Sequence, residues 1–249
     1  MKVPKIKIFF KIKLFNIYIY MFFLVDNKHK VIFGWSAKCG CSHIKRIFYF
    51  LTTNNIDSII HTDNEYNNLL PDDMMKYTTI IIGRNPYKRI ISGFLDKYSI
   101  NGGCRSLWKY KFITFSRFID ELVKNDWKMI EHHHFTPQTT EGFDEKILMS
   151  KCIKCYDIEN IDYNYIEELY NIKIPEILLH KKEGHERKNY ELSYNNYVYD
   201  LRMMVYYNFN VDLKYFYNQQ LKNKVFNFYK NDFIFFRNFG IDYINTNFL

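Results

Sequence analysis

A strand, a short loop and a helix in direct succession constrain the fold of this chain more than any other feature. The apolar run at residues 30–36 (KVIFGWS) predicts a buried strand, and the small-residue segment at 37–42 (AKCGCS) predicts a tight loop. The stretch that follows, HIKRIFYFL, has a helical pattern of apolar residues. Such a succession is typical of an α/β domain.

A second unit of the same kind comes later in the chain. The β-branched run at 77–83 (YTTIIIG) predicts a strand. Asn85 is a typical helix N-cap, Pro86 suits the first helical position, and we expect the helix to run to Tyr98. Its apolar side chains fall on one helical face: Tyr87, Ile91, Phe94, Leu95 and Tyr98.

The rest of the chain favours helices and a single domain. Beyond residue 112 the pattern is mostly helical, as at 115–125, 163–171 and 219–236. We therefore predict an α/β fold with a P-loop-like three-layer core, a central parallel sheet and a helix-rich C-terminal half. No internal repeat and no Pro- or Ser-rich linker marks a boundary, so we expect one domain over residues 24–249.

Residues 1–23 fit two interpretations, and the sequence leaves both open. A basic start precedes an apolar stretch, Leu14–Val25, which is long enough for a signal-peptide core but shorter than the roughly 20 residues of a membrane span. Alternating lysine and apolar residues equally favour extra strands of the fold. Residues 1–25 therefore either associate the protein with a secretory membrane or belong to a cytoplasmic domain.

The net charge favours anionic ligands. Lys and Arg number 35 against 27 Asp and Glu, which gives +8 at pH 7. Such a surface attracts nucleic acid, anionic lipid or phosphorylated small molecules, and charge alone does not choose among them. Aromatic residues make up 19% of the chain, but the accompanying residues Ile, Asn and Lys also have AT-rich codons. We attribute the aromatic enrichment to coding bias rather than to nucleic-acid binding.

Both strand-to-helix loops carry residues that suit phosphate groups. In an α/β sheet, ligands bind at the carboxyl ends of the strands, where a helix N-terminus offers free backbone N–H groups. Lys38 and Ser42 bracket Gly40 in the first loop, whereas Arg84 follows the second strand and Ser92 lies two helical turns further on. The first loop lacks the spacing of a Walker A motif, which disfavours an ordinary P-loop kinase.

These segments together resemble the nucleotide-binding motifs of the sulfotransferases. KHKVIFGWSAKCGCSHIKRIF is similar to their 5′-phosphosulfate-binding loop, and GRNPYKRIISGFLDKY is similar to their 3′-phosphate-binding strand and helix. Three further stretches follow in the same order as in the carbohydrate sulfotransferases of the Golgi type, the group that includes the chondroitin and HNK-1 enzymes: ITFSRFIDEL, HFTPQ and FYKNDFIFF. The resemblance extends from about Leu24 to Phe239.

The resemblance implies a donor, 3′-phosphoadenosine 5′-phosphosulfate, and an acceptor hydroxyl on a carbohydrate. Lys38 would contact the phosphosulfate and its bridging oxygen, and Arg84 and Ser92 would bind the 3′-phosphate. The rest of the first loop would add backbone and hydroxyl contacts, from Cys39, Gly40, Cys41 and Ser42. A positioned lysine and a helix N-terminus can stabilise an in-line transfer without a metal, so we expect no metal cofactor.

The acceptor hydroxyl needs a base, and two histidines are candidates. Histidine is the side chain whose unperturbed pKa lies nearest neutrality. Related enzymes carry a histidine between the two phosphate-binding units, which favours His61, and His134 in the HFTPQ segment is the alternative. Lys38 and one of these two residues form the predicted catalytic set.

Other functions remain as alternatives at this stage. Cys152 and Cys155 form one CxxC pair, but a second closely spaced ligand pair is absent, so we interpret them as buried free thiols rather than zinc ligands. A nucleotide-dependent phosphotransferase would need ATP and magnesium. A non-catalytic nucleic-acid-binding protein would show salt-dependent affinity, and a degenerate relative would bind nucleotide without transfer. The oligomeric state stays open.

Overall fold

The computed structural model describes residues 21–56, 70–98, 113–124, 130–139, 143–180, 193–194, 198–200 and 210–244. Its main sheet has four strands: β1 (Met21–Asp26), β2 (Val31–Ser36), β3 (Thr78–Gly83) and β4 (Cys152–Asp157). They lie side by side in the order β1-β2-β3-β4. The first pair is antiparallel, whereas β2, β3 and β4 run parallel to one another.

Helices follow β2 and β3 as the sequence predicts, and Pro86 begins the second of them. The single helix expected over 219–236 is instead two helices that meet at Tyr229. A separate two-stranded parallel pair consists of β5 (Ser193–Tyr194) and β6 (Asn210–Val211), and short 3-10 turns cover Met74–Lys76 and Leu213–Phe216. The α-helices are α1 (Cys41–Thr53), α2 (Pro86–Lys97), α3 (Phe115–Val123), α4 (His132–Phe135), α5 (Phe143–Leu148), α6 (Tyr163–Tyr170), α7 (Glu176–Leu179), α8 (Gln219–Phe228) and α9 (Lys230–Asn238).

The side chains of the sheet alternate between two apolar clusters, one on each face. Ile81 of β3 belongs to the first cluster, and its neighbours Ile80 and Ile82 belong to the second. The first cluster includes side chains of α2, α3, α8 and α9, and the second includes side chains of α1, α6 and α7. Helices therefore cover both faces of a mostly parallel sheet, which confirms the predicted three-layer α/β fold.

The strand β4 was not predicted from the sequence. Its residues, CIKCYD, are mostly half-buried, because β4 is an edge strand and pairs only with β3 among the described strands. Cys152 and Cys155 lie in this strand as free thiols, partly buried rather than fully buried. Burial raises the pKa of Cys155 to about 12. Within the described ranges, no group of three or more His, Cys, Asp or Glu side chains is arranged to hold a metal ion.

The apolar stretch near the N-terminus contributes β1. The strand begins at Met21, and Met21 and Phe23 pack in the first apolar cluster. Residues 21–25 of this stretch thus belong to the sheet, and residues 1–20 lie outside the described part of the chain, so the choice between the two interpretations of residues 1–23 stays open. Among the described residues, no helix combines the length and the apolar character needed to cross a bilayer.

Gly83 is the last residue of β3, and it allows Phe236 of α9 to pack directly against the strand. A Cβ atom at position 83 would lie 2.1 Å from the ring carbon Cζ of Phe236, which is fully buried. We expect Gly83→Ala to lower the free energy of unfolding by about 1–3 kcal/mol, because the ring must shift in a close-packed core. Urea denaturation measures this loss.

Gly34→Ala is the matched control for this variant. The nearest atoms to a Cβ at position 34 are Sδ of Met21 and Cε1 of Phe23, both at 3.1 Å, so these neighbours need to shift by only a few tenths of an ångström. We expect a smaller loss of stability than for Gly83→Ala. Equal stability of Gly83→Ala and the wild type would contradict the close packing of Phe236 against β3.

Candidate active site

The loop after β2 makes a sharp turn into α1. Lys38 and Gly40 both have left-handed backbone conformations, with φ of 68° and 77°. A Cβ atom at Gly40 would also lie 2.4 Å from Cδ1 of Ile158, so both the conformation and the space require glycine here. No side chain in the described part of the protein caps the start of α1, and its first turn holds no acidic residue. The N–H groups of Cys41 and Ser42 therefore remain suited to an anion.

The structure brings the two predicted phosphate-binding segments into contact. Nη1 of Arg84 donates a hydrogen bond of 3.1 Å to the carbonyl oxygen of Lys38. Ser92 lies partly exposed on α2, and the Asn85 side chain caps that helix by accepting from the backbone N–H of Tyr87. Because this cap already occupies a backbone N–H group at the start of α2, an anion near that end of the helix would be bound mainly by side chains.

The buried side chain of Arg89 supports the loop after β2. Its side chain is 1% exposed and lies in the buried half of α2. Nε donates to the carbonyl oxygen of Ala37 at 2.9 Å, and Nη1 donates to that of Thr136 at 2.8 Å. The guanidinium group thus joins the first loop to the HFTPQ segment. Sequence analysis did not single it out, although a basic residue among buried apolar positions of a helix is a usable signal.

Gln138, the last residue of HFTPQ, connects both loops through its side-chain amide. Its Oε1 accepts from the backbone N–H of Arg84 at 2.9 Å and from Sγ of Cys39 at 3.0 Å, and its Nε2 donates to the carbonyl oxygen of Arg84 at 2.9 Å. Cys39 is fully buried, which raises the pKa of its thiol to about 11. Cys39 therefore has a structural place in the loop.

Asp232 of α9 holds the HFTPQ segment in position. Its carboxylate accepts from the backbone N–H of Gln138 at 2.9 Å and from the backbone N–H and hydroxyl of Thr139, each at 2.8 Å. Complete burial raises the pKa of Asp232, although these donors favour its charged form. The FYKNDFIFF stretch thus reaches the site through a buried hydrogen-bond network.

His134 forms a dyad with Glu131. Nδ1 of His134 lies 2.6 Å from Oε2 of Glu131, and the same carboxylate accepts from the backbone N–H groups of His133 and His134 at 3.0 Å each. Tyr98, at the end of α2, accepts a hydrogen bond from the backbone N–H of Glu131. Partial burial alone would raise the pKa of Glu131, but its contacts with His134 hold that pKa below the usual value.

His133, beside the dyad, is close enough to Arg89 to be influenced by its charge. Burial lowers the pKa of His133, its neighbours His134, Arg89 and Lys97 lower that pKa further, and Glu131 opposes the shift. His61, the other candidate base, lies outside the described residues. Of the two candidate bases, the structure therefore describes the surroundings of His134 only.

A family model described as the sulfotransferase family matches residues 21–239. The chain belongs to the sulfotransferase family. Sulfuryl transfer to an acceptor substrate is accordingly its general chemistry. No curated protein and no solved structure matches the chain.

In this sulfotransferase, a cleft of about 360 Å³ adjoins the start of α2. It lies at the carboxyl end of β4, and its lining includes Asn85, Lys88, Tyr156 and Asn160. A volume of this size suits a small ligand. The ion pair between Lys88 and Glu159, at 2.6 Å, lies at its border.

Sequence analysis did not identify the side chains that hold the sulfotransferase motifs in place, because most of them bond to residues far away in the chain. Glu131 has a partial local signal, since an acidic residue three positions before a histidine is within reach of it in a helical turn. Asp232 and Gln138 lie in the FYKNDFIFF and HFTPQ stretches, but no local pattern assigns them these contacts, because their partners lie 94 and 54 residues away. Only the folded chain brings these groups together.

Gln138→Leu tests whether the amide supports the two loops. The change would leave the N–H and carbonyl of Arg84 and the thiol of Cys39 without this partner in a buried place, so we expect a loss of about 2–5 kcal/mol in the free energy of unfolding. Urea denaturation measures it. Gln219→Leu is the control, because Gln219 is exposed and bonds only to Asn223 in the described structure; we expect a change within about 0.5 kcal/mol. Similar stability of both variants would refute the role of Gln138.

Proposed function

We propose that this protein transfers a sulfuryl group from 3′-phosphoadenosine 5′-phosphosulfate to a hydroxyl of a carbohydrate. The contact between Arg84 and the carbonyl oxygen of Lys38 carries the proposal, since it joins the two segments that resemble the donor-binding motifs. The match to the sulfotransferase family over residues 21–239 supports it. The same match supports a single domain over residues 24–249 as part of the proposal.

The donor would bind across the carboxyl ends of β2 and β3. The backbone N–H groups at the start of α1, with the side chains of Lys38 and Ser42, are suited to the 5′-phosphosulfate. Gly40 and Cys41 would add loop contacts, whereas Cys39, which is fully buried, would support the loop through its bond to Gln138. The cleft beside α2 has room for the nucleoside part of the donor.

Arg84 and Ser92 would bind the 3′-phosphate. A guanidinium group forms charge-assisted, often bidentate hydrogen bonds to phosphate, and the partly exposed hydroxyl of Ser92 on α2 can add a further donor. Lys38 and the α1 N-terminus provide positive charge for the transferred group and the leaving oxygen, so the proposed reaction needs no metal.

Transfer would proceed by in-line attack of the acceptor oxygen on sulfur. The new S–O bond forms as the bond from sulfur to the bridging oxygen breaks, and adenosine 3′,5′-bisphosphate leaves with that oxygen. Lys38 stabilises the charge that develops on the leaving group. The hydroxyl proton passes to the base.

We propose His134 as this base, with His61 as the alternative. Nδ1 of His134 faces Glu131, an arrangement in which the carboxylate fixes the ring and leaves Nε2 for the acceptor hydroxyl. The carbohydrate acceptor is proposed from the resemblance to the Golgi-type enzymes. On the same ground, the residues that precede β1 would associate the protein with a secretory membrane; the alternative is a cytoplasmic domain to which they belong.

Donor binding can be tested by calorimetric titration with adenosine 3′,5′-bisphosphate, beside ADP and ATP with magnesium. We expect the bisphosphate to bind best and Arg84→Ala to weaken it by about 10- to 100-fold, the loss typical of a charged hydrogen-bond partner. Arg237→Ala removes the same charge from an exposed position of α9 and should leave the affinity unchanged.

Either of two results would overturn the donor assignment. A preference for ATP with magnesium would favour a phosphotransferase, and no nucleotide binding together with salt-dependent binding of DNA or RNA would favour a nucleic-acid-binding protein. Equal affinities of Arg84→Ala and the wild type would remove Arg84 from the 3′-phosphate site.

The base can be identified by comparing His134→Ala, Glu131→Gln and His61→Ala. We expect His134→Ala to lower turnover by about 10²- to 10⁴-fold with bisphosphate affinity unchanged, because the base acts on the acceptor. Glu131→Gln should give a smaller loss of turnover, since Glu131 only orients the imidazole ring of His134. Transfer of radiolabelled sulfate from the donor to a mixture of glycans measures turnover. Loss of activity in His61→Ala alone would reassign the base to His61.

A further inference from the structure

Lys38 has an anionic partner within the protein. Its Nζ lies 3.1 Å from Oδ2 of Asp96, and the two side chains are only 15% and 17% exposed. Asp96 follows Ser92 by one helical turn, so both residues lie on the same face of α2. The ion pair therefore spans the two elements to which the proposed function assigns the two ends of the donor.

Asp96 also has a second cation. Nζ of Lys97 lies 3.2 Å from the same carboxylate oxygen. Burial alone would raise the pKa of Asp96, but Lys38 and Lys97 hold it below its usual value, so the carboxylate is charged at neutral pH. If Lys38 turned to another anion, Asp96 would keep Lys97, and no half-buried carboxylate would be left without a cation.

An incoming phosphosulfate must share Lys38 with Asp96 or displace it. Asp96 also repels the donor, because both are anionic and close to the same ammonium group. After transfer, the bisphosphate product is held by the same residues, and Asp96 can take Lys38 back as the product leaves. Because Asp96 also pairs with Lys97, Lys38 can exchange between Asp96 and the ligand without a change in the protonation of these residues.

We propose that Asp96 is a positioning residue that competes with the donor and product for Lys38 and thereby speeds product release. The proposal rests on the proposed function, because it needs Lys38 to bind the phosphosulfate end of the donor. It assigns Asp96 no contact with the reacting atoms. Its distinctive consequence is that removal of a site residue strengthens nucleotide binding.

The test measures binding of adenosine 3′,5′-bisphosphate to the whole chain by calorimetry and its dissociation by surface plasmon resonance. We expect Asp96→Asn to bind about fivefold more tightly than the wild type, the scale of a partly exposed ion pair, and to release the ligand correspondingly more slowly. A merely structural role for Asp96 predicts weaker binding. Equal or weaker binding by Asp96→Asn would overturn the proposal.

Two controls sharpen the comparison. Asp96→Glu keeps the competing charge and should bind within about twofold of the wild type. Glu121→Gln removes the carboxylate of an ion pair on α3 with Lys124 and should leave affinity unchanged. If Asp96→Asn does not melt cooperatively, Asp96→Ser is measured in its place and interpreted in the same way.

The proposed function and the role of Asp96 can fail separately. Absence of bisphosphate binding by the wild type would overturn the proposed function and the role of Asp96 with it. Binding by the wild type with unchanged or weaker binding by Asp96→Asn would overturn the role of Asp96 alone.

Discussion

The buried amide of Gln138 is the interaction on which the site depends. It satisfies the backbone N–H and carbonyl of Arg84 and accepts from the thiol of Cys39, so a single side chain bonds to both of the segments proposed to bind phosphate. A buried polar group that loses its partner costs more than the hydrogen bond itself contributes. Because Asp232 holds the backbone of Gln138, the position of the amide is itself determined by α9.

The parallel sheet places the candidate site residues around this amide, at the carboxyl ends of its strands. Because parallel strands end on the same side of the sheet, the loop after β2 and the residues after β3 lie close together. Close approach then requires small residues: Gly40 turns the chain into α1, and Gly83 lets Phe236 pack against β3. Arg89 completes the arrangement by bonding to the loop carbonyl of Ala37.

Prediction from the sequence succeeded where local pattern and burial agree. The strands β2 and β3 are almost entirely buried and rich in apolar residues, and α2 has both an N-cap and a proline at its start. Prediction missed β4, because an edge strand with half-buried Cys and Tyr and an exposed Lys lacks a clear alternation. It also joined α8 to α9, since the apolar pattern continues through Tyr229, where the helix breaks.

The sequence by itself determined the fold class and the two motifs that would hold the donor, because their strands, turns and helix starts depend on residues close together in the chain. Tertiary structure decided what holds those motifs in place. The contacts from Lys38 to Asp96 and from Gln138 to Arg84 join distant segments, and their geometry depends on how helices pack across the sheet. Glu131 shows the intermediate case: it is near His134 in sequence, but Tyr98 at the end of α2 bonds to its backbone. Local spacing can suggest such a pair, whereas only packing supplies its orientation.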